Sequence, residues 1–321
     1  MRVEPVSAAY KGAYHLVRSL PRPVADLIAL VASVAAAGVS KERRLLVERN
    51  LRRVYGEDFA GADLRRSVIA TFSSYARYWV DSFGLPGVSP ERLDAGFQFR
   101  GFGHLVEARE RGVGPLVVLP HLGGWEWAGF WLARVMEIPI TVVVEPLEPR
   151  ELFEFFAKFR QELGMNIVPL GPHAGAEVLR AIRERHVICL LADRDIQGDG
   201  VPVEFFGERT TLPAGPVTLA LRTGAPLHPT AIYFSGDRHL GVVRPALRVE
   251  RRGRFRDDVA RGTQQLAREL EDLIRAAPEQ WHLQQPNWPS DYDALAAIGK
   301  PHPRPPRQAG SLVCGTGQPV A

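Results

Sequence analysis

From Gly114 onward, short apolar runs alternate with stretches of helical periodicity, and this alternation limits the possible folds more than any other feature of the chain. The runs 116–119, 140–145, 166–169 and 187–192 have strand length. Between them, 126–134, 151–163 and 174–185 repeat apolar residues at helical spacing. A helix at 214–222, strand runs at 227–234 and 240–249 and a long helix at 256–276 continue the series. Such alternation predicts an α/β fold, with a central mainly parallel or mixed sheet flanked by helices. The first hundred residues read as helices, so a helical N-terminal region precedes the sheet. They include a basic segment at 41–55, carrying Arg43, Arg44, Arg49, Arg52 and Arg53, and an aromatic-rich one at 63–83. The expected divisions are an N-terminal helical segment (1–40), the main body (41–298) and a tail (299–321) rich in Pro, Gly and Gln, expected to be disordered.

The end of the first apolar run carries the clearest chemical signal. The stretch Pro115-Leu-Val-Val-Leu-Pro-His121-Leu-Gly-Gly-Trp-Glu126 reads as a buried strand, a loop and the first turn of a helix. Strand–loop–helix junctions are where α/β proteins usually place their sites. Residues five apart on one continuous helix point in different directions, so His121 and Glu126 meet only if His121 lies in the loop. Gly123 and Gly124 supply the backbone freedom for that. His121 is the candidate general base and Glu126 the carboxylate expected to orient it. The competing reading is an ordinary loop histidine with a helix-start glutamate favoured by the dipole.

The chain has 321 residues, is 45% hydrophobic and 24% charged, and has net charge +4, so it has ample material for a core. Arginine-rich basic charge suits an anionic membrane surface or a phosphorylated small molecule. No zinc-finger, helix-turn-helix or RNA-binding signature is present in the sequence, so no nucleic-acid partner is expected. The two cysteines, Cys189 and Cys314, make no disulfide framework, and no Cys/His spacing suits zinc, so no metal is expected. Residues 24–39 are apolar apart from Asp26 and small polar positions. They are short for a membrane span. A membrane-docking helix and a plain core helix both fit, and a signal peptide is the third reading.

Four segments, in order, carry a resemblance to a known family: Ser74-Tyr-Ala-Arg-Tyr-Trp79, His121-Leu-Gly-Gly-Trp-Glu126, Leu191-Ala-Asp-Arg-Asp195 with Gly200-Val-Pro-Val-Glu-Phe-Phe-Gly207, and Pro278-Glu-Gln-Trp-His282 with Gln285-Pro-Asn-Trp288. Across roughly residues 10 to 295 the chain resembles the bacterial lipid acyltransferases that include the late acyltransferases of lipid A biosynthesis. Within them it is most similar to the phosphatidylinositol mannoside branch. The resemblance implies a peripheral enzyme on the cytoplasmic face of the inner (plasma) membrane. It would move a fatty acyl group from acyl-CoA, a co-substrate with no further cofactor, to a mannose hydroxyl of a glycolipid acceptor. A cytosolic, CoA-using enzyme would have no signal peptide.

Further assignments follow from that implied reaction. Glu145, Arg160, Asp193, Arg194, Asp195 and Glu204 become candidates for holding acceptor hydroxyls or phosphate. Three have a bland counterpart: a solvated helix face for Arg160, a strand-to-loop cap for Asp193 or Asp195. Tyr75, Trp79, Trp125 and Trp127 are candidates for an acyl-chain groove, against ordinary core packing. The basic residues of 41–55 would face anionic headgroups or simply solvent. The alternatives are a lipid A-type acyltransferase using acyl carrier protein or acyl-CoA, a metal-dependent hydrolase ligated by His121 and Glu126, and a non-catalytic lipid-binding protein.

Overall fold

The computed structural model describes residues 4–303. Most of the expected disordered tail, 304–321, lies outside the described residues. Four helices lead: α1 (Glu4–Ser19), α2 (Arg22–Val39), α3 (Lys41–Tyr55) and α4 (Gly61–Gly84). Then come α5 (Pro90–Ala95), β1 (Phe97–Arg100), α6 (Gly103–Glu110), β2 (Leu116–Leu119), α7 (Trp125–Arg134) and β3 (Ile140–Val144). They are followed by α8 (Arg150–Glu162), β4 (Met165–Pro169), α9 (Ala174–Arg183) and β5 (Val187–Leu191). A hairpin of β6 (Val201–Phe205) and β7 (Glu208–Leu212) leads to α10 (Gly215–Thr223), β8 (Leu227–Ser235) and β9 (Arg238–Val243). The described chain closes with α11 (Phe255–Arg275) and α12 (Pro289–Ala297).

Among the described residues, seven strands form one sheet in the order β1-β9-β8-β2-β5-β3-β4. All neighbours are parallel except β8 and β9, so the expected mainly parallel, mixed sheet is observed. The central strands are buried on both faces, as parallel sheets require. In β2, Leu116 and Val118 enter one core cluster while Val117 and Leu119 enter the other. In β5, Ile188 and Leu190 alternate with Val187 and Cys189 in the same way. Burial pushes the Cys189 thiol up to about 12, which leaves it unreactive.

Several elements differ from the sequence reading. The run 240–249 forms a strand only to Val243, because Pro245 has no N–H for the ladder. The structure adds a short strand, β1, at the end of the helical region, and the β6–β7 hairpin. The basic helix α3 is partly built into the structure. Arg49 and Arg53 both bond Asp291 at 2.7 Å, and Arg53 also bonds Glu208 and lies 3.9 Å over the Trp288 ring. Those two arginines are therefore spent on internal contacts and are unavailable to lipid headgroups. α2 packs on α4 but leaves Leu27, Ile28, Leu30, Val31 and Val34 exposed, so the plain core-helix reading is corrected.

Candidate active site

The register of two neighbouring strands creates the site. Leu119 of β2 faces Leu191 of β5, so two residues further along, His121 and Asp193 leave the sheet side by side. His121 Nδ1 lies 2.6 Å from Asp193 Oδ1, and the His121 amide donates to Oδ2 at 3.0 Å. Trp281 Nε1 donates to the same Oδ2 at 2.8 Å, and Asn287 Nδ2 donates to the Asp193 carbonyl at 3.0 Å. Asp193 is fully buried, whereas the His121 side chain is 34% exposed. Burial alone would raise the Asp193 pKa, but the charge and hydrogen bond of His121, with the Trp281 and backbone donors, outweigh it. Asp193 therefore sits below the usual carboxylate range and is ionised. An ionised partner draws the His121 proton to Nδ1 and leaves Nε2 as a lone-pair acceptor.

The loop after His121 is held by backbone geometry. Gly123 has φ +59°, and a Cβ there would come within 1.8 Å of the Ile232 carbonyl oxygen. Leu122 pairs with Trp281 as an isolated antiparallel bridge, and His282 N donates to the His121 carbonyl at 2.7 Å. The segment after α11 thus closes over the loop, although it lies about 160 residues away along the chain.

The expectation that Glu126 orients His121 is corrected. Glu126 starts α7 and points between helices: its Oε1 accepts Arg160 Nη2 at 2.7 Å, Arg160 Nε at 3.0 Å and the Tyr78 hydroxyl at 3.1 Å. The cause is the helix itself, which turns Glu126 away from the loop and toward α4 and α8. Arg160 is neither on a solvated face nor free for phosphate, since its guanidinium is committed to Glu126 and lies 5.1 Å over the Trp125 ring. Asp195 is also a structural residue: it accepts Gly198 N and Gly200 N, both at 2.9 Å, and the Thr211 hydroxyl at 2.7 Å. Glu204 stands exposed on β6 between buried Val203 and Phe205, and no described contact joins it to His121. Glu145 and Arg194 do come together, 3.9 Å apart just beyond the C-terminal ends of the neighbouring strands β3 and β5, both partly exposed.

The aromatic candidates separate. Tyr75 and Trp79 of α4 form one wall with Tyr10 and Phe156, at ring separations of 5.8, 5.1 and 5.5 Å around Trp79. Trp125 joins that wall through Arg160. Trp127 faces elsewhere: it stacks on His239 at 4.4 Å and donates to the Leu93 carbonyl. Sequence reading assigned no role to Trp281, His282, Tyr78 or Asn287, although it quoted the segments that hold them. The available signal was register: β5 beside β2 puts Asp193 opposite His121.

Comparison with known proteins gives the family of the chain. Residues 4–290 match the model of the bacterial lipid A biosynthesis acyltransferases. A phosphatidylinositol mannoside acyltransferase of Mycolicibacterium smegmatis is 37% identical over 287 residues, covering 88% of this chain and 91% of the relative. A protein of the same name from Mycobacterium tuberculosis is 38% identical over 250 residues, covering 76% of this chain and 77% of the relative. The matched span holds the whole sheet together with His121, Asp193 and His282, and the chain belongs to the bacterial lipid A biosynthesis acyltransferase family.

Proposed function

We propose that this acyltransferase moves a fatty acyl group from acyl-CoA to a mannose hydroxyl of phosphatidylinositol mannosides at the cytoplasmic face of the inner membrane. The observation that carries the chemistry is the 2.6 Å contact between buried, ionised Asp193 and His121 Nδ1. His121 Nε2 takes the proton of the acceptor hydroxyl as its oxygen attacks the thioester carbonyl. The tetrahedral oxyanion collapses, the C–S bond breaks, and the leaving thiolate recovers the proton from Nε2. Asp193 holds the imidazole tautomer and stabilises the transient imidazolium. Glu126, through Arg160 and Tyr78, anchors α7 and the loop that carries His121. The Glu145–Arg194 pair supplies an acceptor and donors for sugar hydroxyls, and the Tyr75–Trp79 wall supplies apolar surface for the acyl chain. The mannoside acceptor is supported by the names of the relatives at 37% and 38% identity.

The outer face of α2 supports the membrane location. Its 18 residues are mostly apolar, and only 17% of that window is buried. An exposed apolar stripe of this kind fits a helix lying in the lipid interface. The test is transfer by the purified protein from palmitoyl-CoA to phosphatidylinositol mono- and dimannoside, with products mapped by mass spectrometry. His121→Ala should lower kcat by about 10³-fold or more with the circular dichroism spectrum unchanged. Activity near that of the parent enzyme would refute the base assignment.

A further inference from the structure

The site contains a second imidazole that the chemistry above does not use. His282 is tied to the catalytic loop by its own backbone, through the 2.7 Å bond from its N–H to the His121 carbonyl and the adjoining Leu122–Trp281 bridge. Its Nε2 lies 2.9 Å from the Ser74 hydroxyl on α4. The rings of Tyr75 and Tyr78 stand 5.4 and 5.7 Å from it, and that of Phe234 stands 6.4 Å away. This setting fixes one edge of the imidazole and leaves Nδ1 without a hydrogen-bond partner among the described residues, on a side chain that is partly exposed.

We propose that His282 acts as a neutral hydrogen-bond donor, its Nδ1–H aimed at the oxyanion of the tetrahedral intermediate and its tautomer set by the Ser74 hydroxyl donating to Nε2. The proposal rests on the acyl-transfer reading above. A serine hydroxyl that donates to Nε2 forces the ring proton onto Nδ1. Burial among aromatic rings, and then the positive field of His121, push the His282 pKa down to about 3. The ring therefore stays neutral while His121 cycles through its cation. A charged His282 would repel that cation; a neutral one polarises the carbonyl without opposing it. Neutral imidazoles are competent electrophiles of this kind. No proton changes hands at His282: its N–H strengthens a hydrogen bond as charge develops on the carbonyl oxygen and relaxes as the C–S bond breaks.

The test uses the full-length enzyme in detergent with palmitoyl-CoA and a mannoside acceptor. His282→Leu should lower kcat by about 10²- to 10³-fold with KM changed less than about threefold, as expected for a donor used only in the transition state. His282→Asn, whose amide N–H can occupy the Nδ1 position, should recover most of that loss. Ser74→Ala should lower kcat by about tenfold. Ring ¹⁵N spectra at pH 7 should show His282 as the neutral Nδ1–H tautomer in the parent enzyme. They should show a mixture of tautomers in Ser74→Ala. A neutral Nε2–H tautomer or an imidazolium in the parent enzyme would overturn the proposal, whatever the kinetics. So would equal losses in the Leu and Asn variants, or a Leu variant with near-parental kcat. If His282→Leu fails to fold, the Asn variant and the spectra still decide the matter. Failure of the acyl-transfer reading is separate: the parent enzyme would then transfer no acyl group, while the spectra still report the tautomer.

Discussion

Asp193 closes the β5 edge of the site and Glu126 closes the α7 edge; both carboxylates are buried, but their partners differ in kind. Asp193 faces an imidazole that can gain and lose a proton and is partly open to solvent. Glu126 faces a guanidinium that is always charged and is itself nearly buried. The first arrangement can support a reaction, because the charge on its partner is transient. The second is a permanent ion pair whose main effect is to hold α4, α7 and α8 in one geometry. Sequence spacing alone favours Glu126 as the partner of His121, so this difference is where variants are most informative.

The largest effect should come from Asp193→Asn. The amide leaves no buried charge unpaired but disfavours the Nδ1–H tautomer of His121. Transfer should fall by about 10³- to 10⁴-fold, with a smaller drop in Tm than for Glu126→Gln. A steady-state assay paired with thermal unfolding measures both. Near-parental activity in Asp193→Asn would dissolve the distinction drawn above.

Glu126→Gln should show the opposite pattern. It leaves the Arg160 charge buried without a counter-charge, which costs about 3–5 kcal/mol of stability. Denaturant unfolding checks the size. The pair Glu126→Leu with Arg160→Met should recover much of the loss, because no charge is then buried. A stable Glu126→Gln protein that is nonetheless inactive would return Glu126 to the chemistry.

Acid sensitivity separates the groups further. His282 titrates near 3 in the folded protein, against about 6.5 in an unfolded chain. Between those values only the unfolded state takes up the proton, so stability falls as the pH drops, by at most about 1.4 kcal/mol per unit. The Asp193 contribution is fully present above its unfolded value of about 3.9 and is lost only as the pH falls through its lowered folded value. In denaturation curves from pH 7 to 4 the fall in stability should therefore be shallower in His282→Asn, with the burial-lowered His186 and His228 supplying the remaining slope, and should keep its steepness in Asp193→Asn. An unchanged slope in His282→Asn would contradict an imidazole that stays neutral in the folded protein.

The smallest change in stability should come from the exposed face of α2. Leu27→Gln with Val31→Gln should shift unfolding by no more than about 0.5 kcal/mol, since both side chains are exposed. Co-sedimentation with anionic vesicles should drop sharply, while activity in detergent should hold. Unaltered vesicle binding would mean that another surface meets the lipid.

The apolar runs were enough to read the α/β class, the mainly parallel sheet and the N-terminal helices, because period-two and helical patterns are local properties of the chain. The glycine-jointed loop at His121 was legible for the same reason, since Gly123 needs a positive φ that the residue type announces. The partner of His121 was not legible. Asp193 is 72 residues away and reaches the imidazole only through the lateral pairing of β2 with β5. Trp281 and His282 arrive from farther still, through the segment that follows α11. Local spacing therefore singled out His121 as the candidate base. The strand order determined which carboxylate ionises beside it, because hydrogen bonds and charge act across space whereas sequence patterns record only neighbours along the chain.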